Sequence, residues 1–388
     1  MAMLRDVVEL RTGTRNPTVA PEEPFTYVDV AAIDNEEKAI VGARVLVGGE
    51  APSRARKLIR KDDVLVSTVR PYLNAVAVVP PELDGQVAST GFCVLRAKKS
   101  VLPEFLYFYT RSKLFVDGLC KLVAGAMYPA VTDSQVLDQA LPLPSLKEQH
   151  RIVDLLARAE GIVRLRREAQ QKAAELIPAI FIDMFGDPAT KPQAWPRQPL
   201  SAVAEVISGV AKGRKLDPGE AVELPYMRVA NVKDGYLDLA EVKTIEIKRS
   251  EVEKLLIRPG DLLMTEGGDP DKLGRAALWA SEIEACVHQN HVFKVRSDQA
   301  RLSPAYLRTL AGSAYGKAYF LSVAKKTTGI ASINKTQLSA FPVPLPPLTL
   351  QRAFERRVQS VESILNQQAE ALNKATATFA AILSQSIS

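Results

Sequence analysis

The sequence predicts a mixed α/β fold. Two globular α/β parts are separated by two long helices packed as an antiparallel coiled coil, with an internal pseudo-two-fold repeat of about 200 residues. Three observations predict it. Residues 141–188 and 342–388 each open on alternating Leu, Val and Pro and then change to helical spacing. The apolar stripe of the first maps onto that of the second 202 positions later, since Ile152 leads to Phe354 and Ile180 to Ile382. Segments upstream of each stripe also match in order, at nearly the same offset.

In chain order, 25–34 (FTYVDVAAID) matches 224–233 (LPYMRVANVK), and both alternate as a half-buried strand does. Next, 58–67 (LIRKDDVLVS) matches 256–265 (LIRPGDLLMT), a polar turn followed by an apolar strand. Then 92–109 parallels 292–310, a strand, a loop and a helix led by Pro at its start. Finally, 131–137 (VTDSQVL) parallels 333–339 (INKTQLS), just before each Pro-rich lead-in.

The lead-in LPLP cannot begin a helix and reads as extended chain. After it, Ile152, Leu156, Ala159, Val163, Arg166, Gln170, Ala173, Ile177 and Ile180 fall at steps of four and three. The second stripe is Phe354, Val358, Val361, Leu365, Gln368, Leu372, Ala375, Phe379 and Ile382. About 40 residues at ~1.5 Å each give a rod of roughly 60 Å, which one sticky stripe cannot bury alone. Pro178 is expected to kink or interrupt the last turns of the first rod. With antiparallel pairing about an internal dyad, Arg166 is expected opposite Gln368. The domain map is therefore 1–140 globular, 141–188 helical, 189–341 globular and 342–388 helical, with a Pro-rich linker at 187–200.

A chain of 388 residues has room for two or more real cores, and 47% apolar with 24% charged residues is the composition of a globular protein. The net charge of +6 leans toward an anionic partner. Cys93, Cys120 and Cys286 form no CxxC pair, which argues against a disulfide framework or zinc site and for a reducing, cytoplasmic setting. The first residues contain no apolar signal region, and no run approaches 18 apolar residues, so no membrane association is expected.

The residues LPLPSLKEQHRIVDLL followed by LIPAIFIDMFGDP, the second LPPLTLQ, and KTTGIASINKTQL before it resemble the specificity subunit of type I restriction–modification systems. The resemblance spans the chain in its two-fold organisation and is specific in the helical regions. The second rod departs by carrying Thr349 and Leu350 where the first has Lys147 and Glu148, and by lacking the MFGDP ending. The resemblance implies that 1–140 and 189–341 are target recognition domains, each reading one half of a bipartite target in double-stranded DNA. It implies that the helices set the spacer and dock two methyltransferase (modification) subunits, which restriction (motor/nuclease) subunits then join. It also implies a subunit with no catalytic activity, no cofactor and no metal of its own.

The residues agree. No Gly-rich loop fit for an adenosyl cofactor is present, no Asn/Asp-Pro-Pro-aromatic quartet, and no GxxxxGK[ST] loop; 266–275 (EGGDPDKLGR) has the glycines without the spacing. Glu241-Val242-Lys243 and Glu246-Ile247-Lys248 have the E-x-K pattern of a metal-dependent nuclease arm, which would need a carboxylate such as Asp234 beside it. The same pattern describes a solvated strand edge. His288 and His291, three apart, point to opposite faces of a strand, which suits polar contacts rather than a metal site.

The candidate DNA-contacting residues are Arg44, Arg54, Arg56, Lys57, Arg70 and Lys121 in the first part. In the second they are Lys212, Arg214, Lys215, Arg228, Asn231, Arg275, Lys325, Lys326, Asn334 and Lys335. Lys and Arg clamp phosphates, Arg grips guanine, and Asn grips adenine. Gly213 and Gly329 stand beside such cations and let backbone approach a phosphate closely. Tyr226 and Tyr128 read as core or strand residues. The rival reading is a coiled-coil scaffold or adaptor whose two heads bind protein or small ligands, and it predicts no salt-dependent DNA binding.

Overall fold

The computed structural model describes residues 1–123, 129–190, 195–214, 216–217, 219–269, 272–327 and 329–387. Lys215 and Tyr128 lie outside the described residues, as do 191–194 of the expected linker. The chain is mixed α/β, with one helix at Leu146–Phe185 and another at Leu348–Ser386, of 40 and 39 residues. It divides into two compact units, one of 1–168 with 370–388, the other of 169–369. Each unit therefore contains a globular part and a portion of each long helix.

In the first unit, Val64–Ser67 is the middle strand of an antiparallel sheet between Phe92–Leu95 and Val76–Val78. A second sheet is ordered Arg44–Val47, Pro24–Val28, Val87–Ser89, Ala55–Leu58, with its central pair parallel. Each middle strand buries side chains on both faces, which explains near-continuous apolar runs such as Val64, Leu65 and Val66. The helix Pro103–Arg111 starts on proline, as its sequence predicts. Its Phe105, Leu106 and Tyr109 pack in one core with Ile152 and Leu156 of the first long helix, Leu383 of the second, and Ile387 just beyond its end. Arg111 lies over the rings of Tyr107 and Phe379, at 4.6 and 5.1 Å, and pairs with Glu160 at 2.5 Å.

The second unit is built from the same kinds of piece. Its main sheet is ordered Ala204–Ser208, Val292–Ser297, Leu262–Thr265, Ala276–Leu278. Ala221–Met227 pairs antiparallel with Lys243–Lys248 and parallel with Val287–His288. The helix Pro304–Gly312 packs Tyr306 and Leu307 in one core with Phe181 and Phe185 of the first long helix and Phe354 and Val358 of the second. Phe181 and Phe354 meet edge to face at 5.6 Å. The end of the linker is strand, since Arg197–Pro199 pairs with Pro342–Pro344.

Two expectations need correction. The first long helix runs unbroken through Pro178, which is exposed, so the helix is not interrupted there. Its stripe also drifts: in the last turns Phe181 and Phe185 are buried while Ile177 and Ile180 are only partly so. A straight helix of 3.6 residues per turn slips relative to a strict seven-residue repeat, and the buried face moves one position along. Segments 131–137 and 333–339 contain short helices, Asp133–Leu137 and Lys335–Ser339, each opened by a capping box.

Glutamine side chains anchor the start of each long helix. In the first unit, buried Gln149 accepts the Leu102 N–H at 2.9 Å and donates to the carbonyls of Ser100 and Pro144. In the second, buried Gln351 accepts the Ser303 N–H at 2.9 Å and donates to Arg301 and Pro346. An amide is needed because donor and acceptor groups must be met side by side without water.

Candidate nucleic-acid interface

One backbone row in each unit collects cationic residues. In the first unit, Thr90 N–H donates to Arg54 O, Thr68 N–H to Gly91 O, Val131 N–H to Thr68 O and Arg70 N–H to Pro129 O, all at 2.8–2.9 Å. Arg54 and Arg70 are exposed at this row. Arg70 adopts a left-handed φ of 50°, unusual for a residue with a Cβ, held by its N–H bond and the following Pro71. That conformation costs about 1 kcal/mol and persists only where its surroundings enforce it.

In the second unit, Val210 N–H donates to His288 O and Asn290 N–H returns to Val210 O. Glu266 N–H donates to His291 O at 3.0 Å, and Ile333 N–H to Glu266 O at 2.8 Å. Gly267–Gly268 continues the row by pairing with Ile330–Ser332, whose other neighbour is Lys325–Thr327. A Cβ on Gly267 would come within 2.8 Å of Ala331 O, so glycine is required for that close approach. The row carries exposed Lys212 just after Val210 on one side and exposed Lys325 and Lys326 on the other. Two segments far apart in sequence are thus brought to one edge.

The remaining candidates divide by what holds their side chains. Lys57 pairs with Asp133 and so ties its strand to the helix Asp133–Leu137, while Arg56 donates to the carbonyl of its neighbour Ala55 at 2.7 Å. Arg44 stands on an outer strand over Tyr27, 4.0 Å from Asp29. Lys121 is exposed at the end of the helix Lys113–Cys120. Arg214 grips Glu251 with two bonds of 2.9 and 3.1 Å, which hold that carboxyl below its ordinary range. Arg275 is half-buried, and its carbonyl accepts the Thr265 N–H. Lys335 is exposed in the first turn of its helix.

Three candidates have structural duties. Asn231, expected as an adenine reader, is only 3% exposed, and its amide binds Asp238 O, Glu241 O and Arg228 N–H. It clamps its own loop, because a buried amide must satisfy donors and acceptor locally. Arg228 is held at Glu241 O, 2.8 Å away. Asn334 caps its helix by accepting Gln337 N–H at 2.9 Å.

The catalytic patterns do not assemble. Glu246 is exposed beside buried Ile247 on the outer strand Lys243–Lys248, Lys248 pairs with Glu220, and Asp234 pairs with Lys317. His288, at the end of the strand Val287–His288, is fully buried, while His291 lies exposed in the turn that follows, so the strand spacing expected of the pair does not apply. Among the described residues no group of three or more His, Cys, Asp or Glu is placed to hold a metal. Gly213 and Gly329 both have φ of +81° with open space around them, so they serve turn geometry. Tyr226 is core, as expected. The reading of single residues missed Glu266, whose carboxylate lies 2.6 Å from the His291 ring. Laying one half of the sequence over the other would have found it, because Glu266 and His291 fall where the first half has Thr68 and Gly91.

The family model described as type I restriction modification DNA specificity domain matches residues 2–175. The chain is 27% identical over 190 residues to a Methanocaldococcus jannaschii protein provisionally named the type I restriction enzyme MjaX specificity subunit, covering 47% of this chain and 44% of that one. It is 24% identical over 304 residues to the type I restriction enzyme EcoKI specificity subunit of Escherichia coli strain K12, covering 74% and 64%. The chain thus spans less than two thirds of the length of these relatives. A solved chain, from work on complex assembly and conformational transition of the type I R-M system, superposes with TM-score 0.63 at 30% identity. That match covers 99% of this chain and 96% of the other. Matched from end to end in fold, and by its first half in sequence, the chain belongs to the specificity-subunit family of type I restriction–modification systems.

Proposed function

We propose that the chain is the DNA sequence-specificity subunit of a type I restriction–modification complex, with residues 1–140 and 189–341 as target recognition domains that each read half of a bipartite site. The carrying observation is the recurrence in both units of one backbone row flanked by exposed cations: Arg54 and Arg70 in one, Lys212, Lys325 and Lys326 in the other. Exposed cations that have no carboxylate partner among the described residues are suited to phosphates, whose neutralisation dominates DNA affinity. The chain brings no catalytic group of its own to this reading. Methyl transfer and cleavage belong to two methyltransferase subunits and to restriction subunits docked on it.

The long helices, 141–188 and 342–388, pair antiparallel in this proposal, as halves of a tandem duplication. Two observations support the direction. The beginning of the first helix shares a core with the end of the second through Ile152 and Leu383. The end of the first shares a core with the beginning of the second through Phe181 and Phe354. The matching bonds of Gln149 and Gln351 support the duplication.

Co-expression with its methyltransferase subunits, followed by methylation mapping of a genome, tests the function. A split motif with a fixed spacer is expected. A contiguous motif, or no sequence-dependent methylation, overturns the proposal, and absence of salt-dependent DNA binding would favour the adaptor reading.

A further inference from the structure

In the second unit the row carries an acidic group that phosphate binding does not explain. Glu266 Oε2 lies 2.6 Å from His291 Nδ1, with the His side chain 55% and the Glu side chain 30% exposed. Their backbone is the one that Thr68 and Gly91 provide in the first unit. Thr68 N–H donates to Gly91 O at 2.9 Å and Glu266 N–H to His291 O at 3.0 Å. Val131 N–H donates to Thr68 O at 2.9 Å, and Ile333 N–H to Glu266 O at 2.8 Å. The frame is constant, while its side chains change from a hydroxyl and a hydrogen to a carboxylate and an imidazole.

On an edge flanked by Lys212, Lys325 and Lys326, a carboxylate repels phosphate and weakens non-specific affinity. Its useful partner is a hydrogen-bond donor on a base edge. Contact with the imidazole fixes one carboxylate oxygen and leaves Oε1 to accept elsewhere. Asn290 Nδ2, 3.4 Å from His291 Nε2, stands on the other side of the ring. In the major groove a carboxylate accepts from the cytosine N4 amino group, which no other base presents in that pattern.

Resting on the reading of the chain as a DNA-specificity subunit, we propose that Glu266 is a base-reading residue of the second recognition domain. It takes the exocyclic amino group of a base, cytosine N4 being the fitting donor. His291 is a positioning residue that aims the carboxylate. The first domain, with Thr68 and Gly91 at this place, lacks the contact, so the two domains differ in sequence preference at one equivalent position.

The test uses the full complex with its methyltransferase subunits, acting on a DNA library randomised through both half-sites. Glu266→Gln and His291→Ala are compared with the parent chain. Glu266→Thr, which installs the residue the first unit has at this place, gives a third variant compatible with the same backbone. The expected result is a loss of at least about tenfold in preference at one G·C position of one half-site, with the other half-site unchanged. His291→Asn, which keeps a donor beside the carboxylate, should retain more of that preference than His291→Ala. An unchanged motif in all variants overturns the proposal, as does an even loss of methylation across all library sequences. A parent complex that shows no bipartite motif overturns the functional reading itself, which separates the two failures.

Discussion

Arg96 holds buried Asp63 through two bonds, Nε to Oδ1 at 2.8 Å and Nη2 to Oδ2 at 2.7 Å. The second unit repeats the arrangement between Arg296 and Asp261 at the same two distances. In each case the carboxylate also accepts a backbone N–H of the turn before the strand, from Arg60 or from Arg258. The pair locks that turn to the neighbouring strand.

Arg96→Ala leaves a buried carboxylate without its cation. Burial already pushes the Asp63 carboxyl up against the pull of Arg96, so its removal costs about 3–5 kcal/mol. Chemical denaturation should show that loss. The double variant Asp63→Leu with Arg96→Met should be far less destabilised than Arg96→Ala, because no charge is then stranded.

Gln149→Leu strands the Leu102 N–H and two carbonyls, and Gln351→Leu does the same at Ser303. Each substitution should cost about 1–3 kcal/mol in urea unfolding. With no shared partner, the two effects should add to within about 0.5 kcal/mol.

His288 is buried with Nδ1 on Val292 O at 2.6 Å and no partner for Nε2 among the described residues. Burial lowers its pKa to about 4, with Lys294 pressing the same way and the Val292 carbonyl and Asp261 opposing. The unfolded chain therefore binds a proton below about pH 6.5 that the folded chain takes up only near pH 4. The stability of the neutral ring is complete above pH 6.5 and falls away as pH drops toward 4, by on the order of 3 kcal/mol. His288→Phe should flatten that part of the stability–pH curve relative to the parent chain.

Cys93 and Cys286 are buried free thiols whose pKa is pushed up to about 12 by burial. Thiolate is the reactive form, so neither should alkylate in the native protein at pH 8. Mass spectrometry after iodoacetamide should find native labelling confined to Cys120, with all three labelled in denaturant.

Lys325→Ala and Lys326→Ala probe the phosphate part of the proposed interface. Each should lower the slope of log affinity against log salt by about 0.9 and weaken binding evenly across sequences. A shift in the methylation motif would contradict a phosphate role. This outcome is the opposite of that expected for Glu266.

Periodicity placed both long helices from residue types alone, because a helix this long must repeat its apolar face every three to four residues. It also placed the strands Val64–Ser67 and Leu262–Thr265 and the proline-led helices, whose apolar runs and start signals are local. The correspondence between the two helical stripes was legible because 202 positions separate their matching residues. The duties of the polar side chains were not. Asn231 and Glu266 are each a lone polar residue in a turn-rich stretch, yet the first is buried and clamps a loop while the second stands half-buried with its carboxylate on the His291 ring. Burial and partners depend on which distant segments fold alongside, as 287–291 does beside Val210 and Glu266, and only the packed chain decides that.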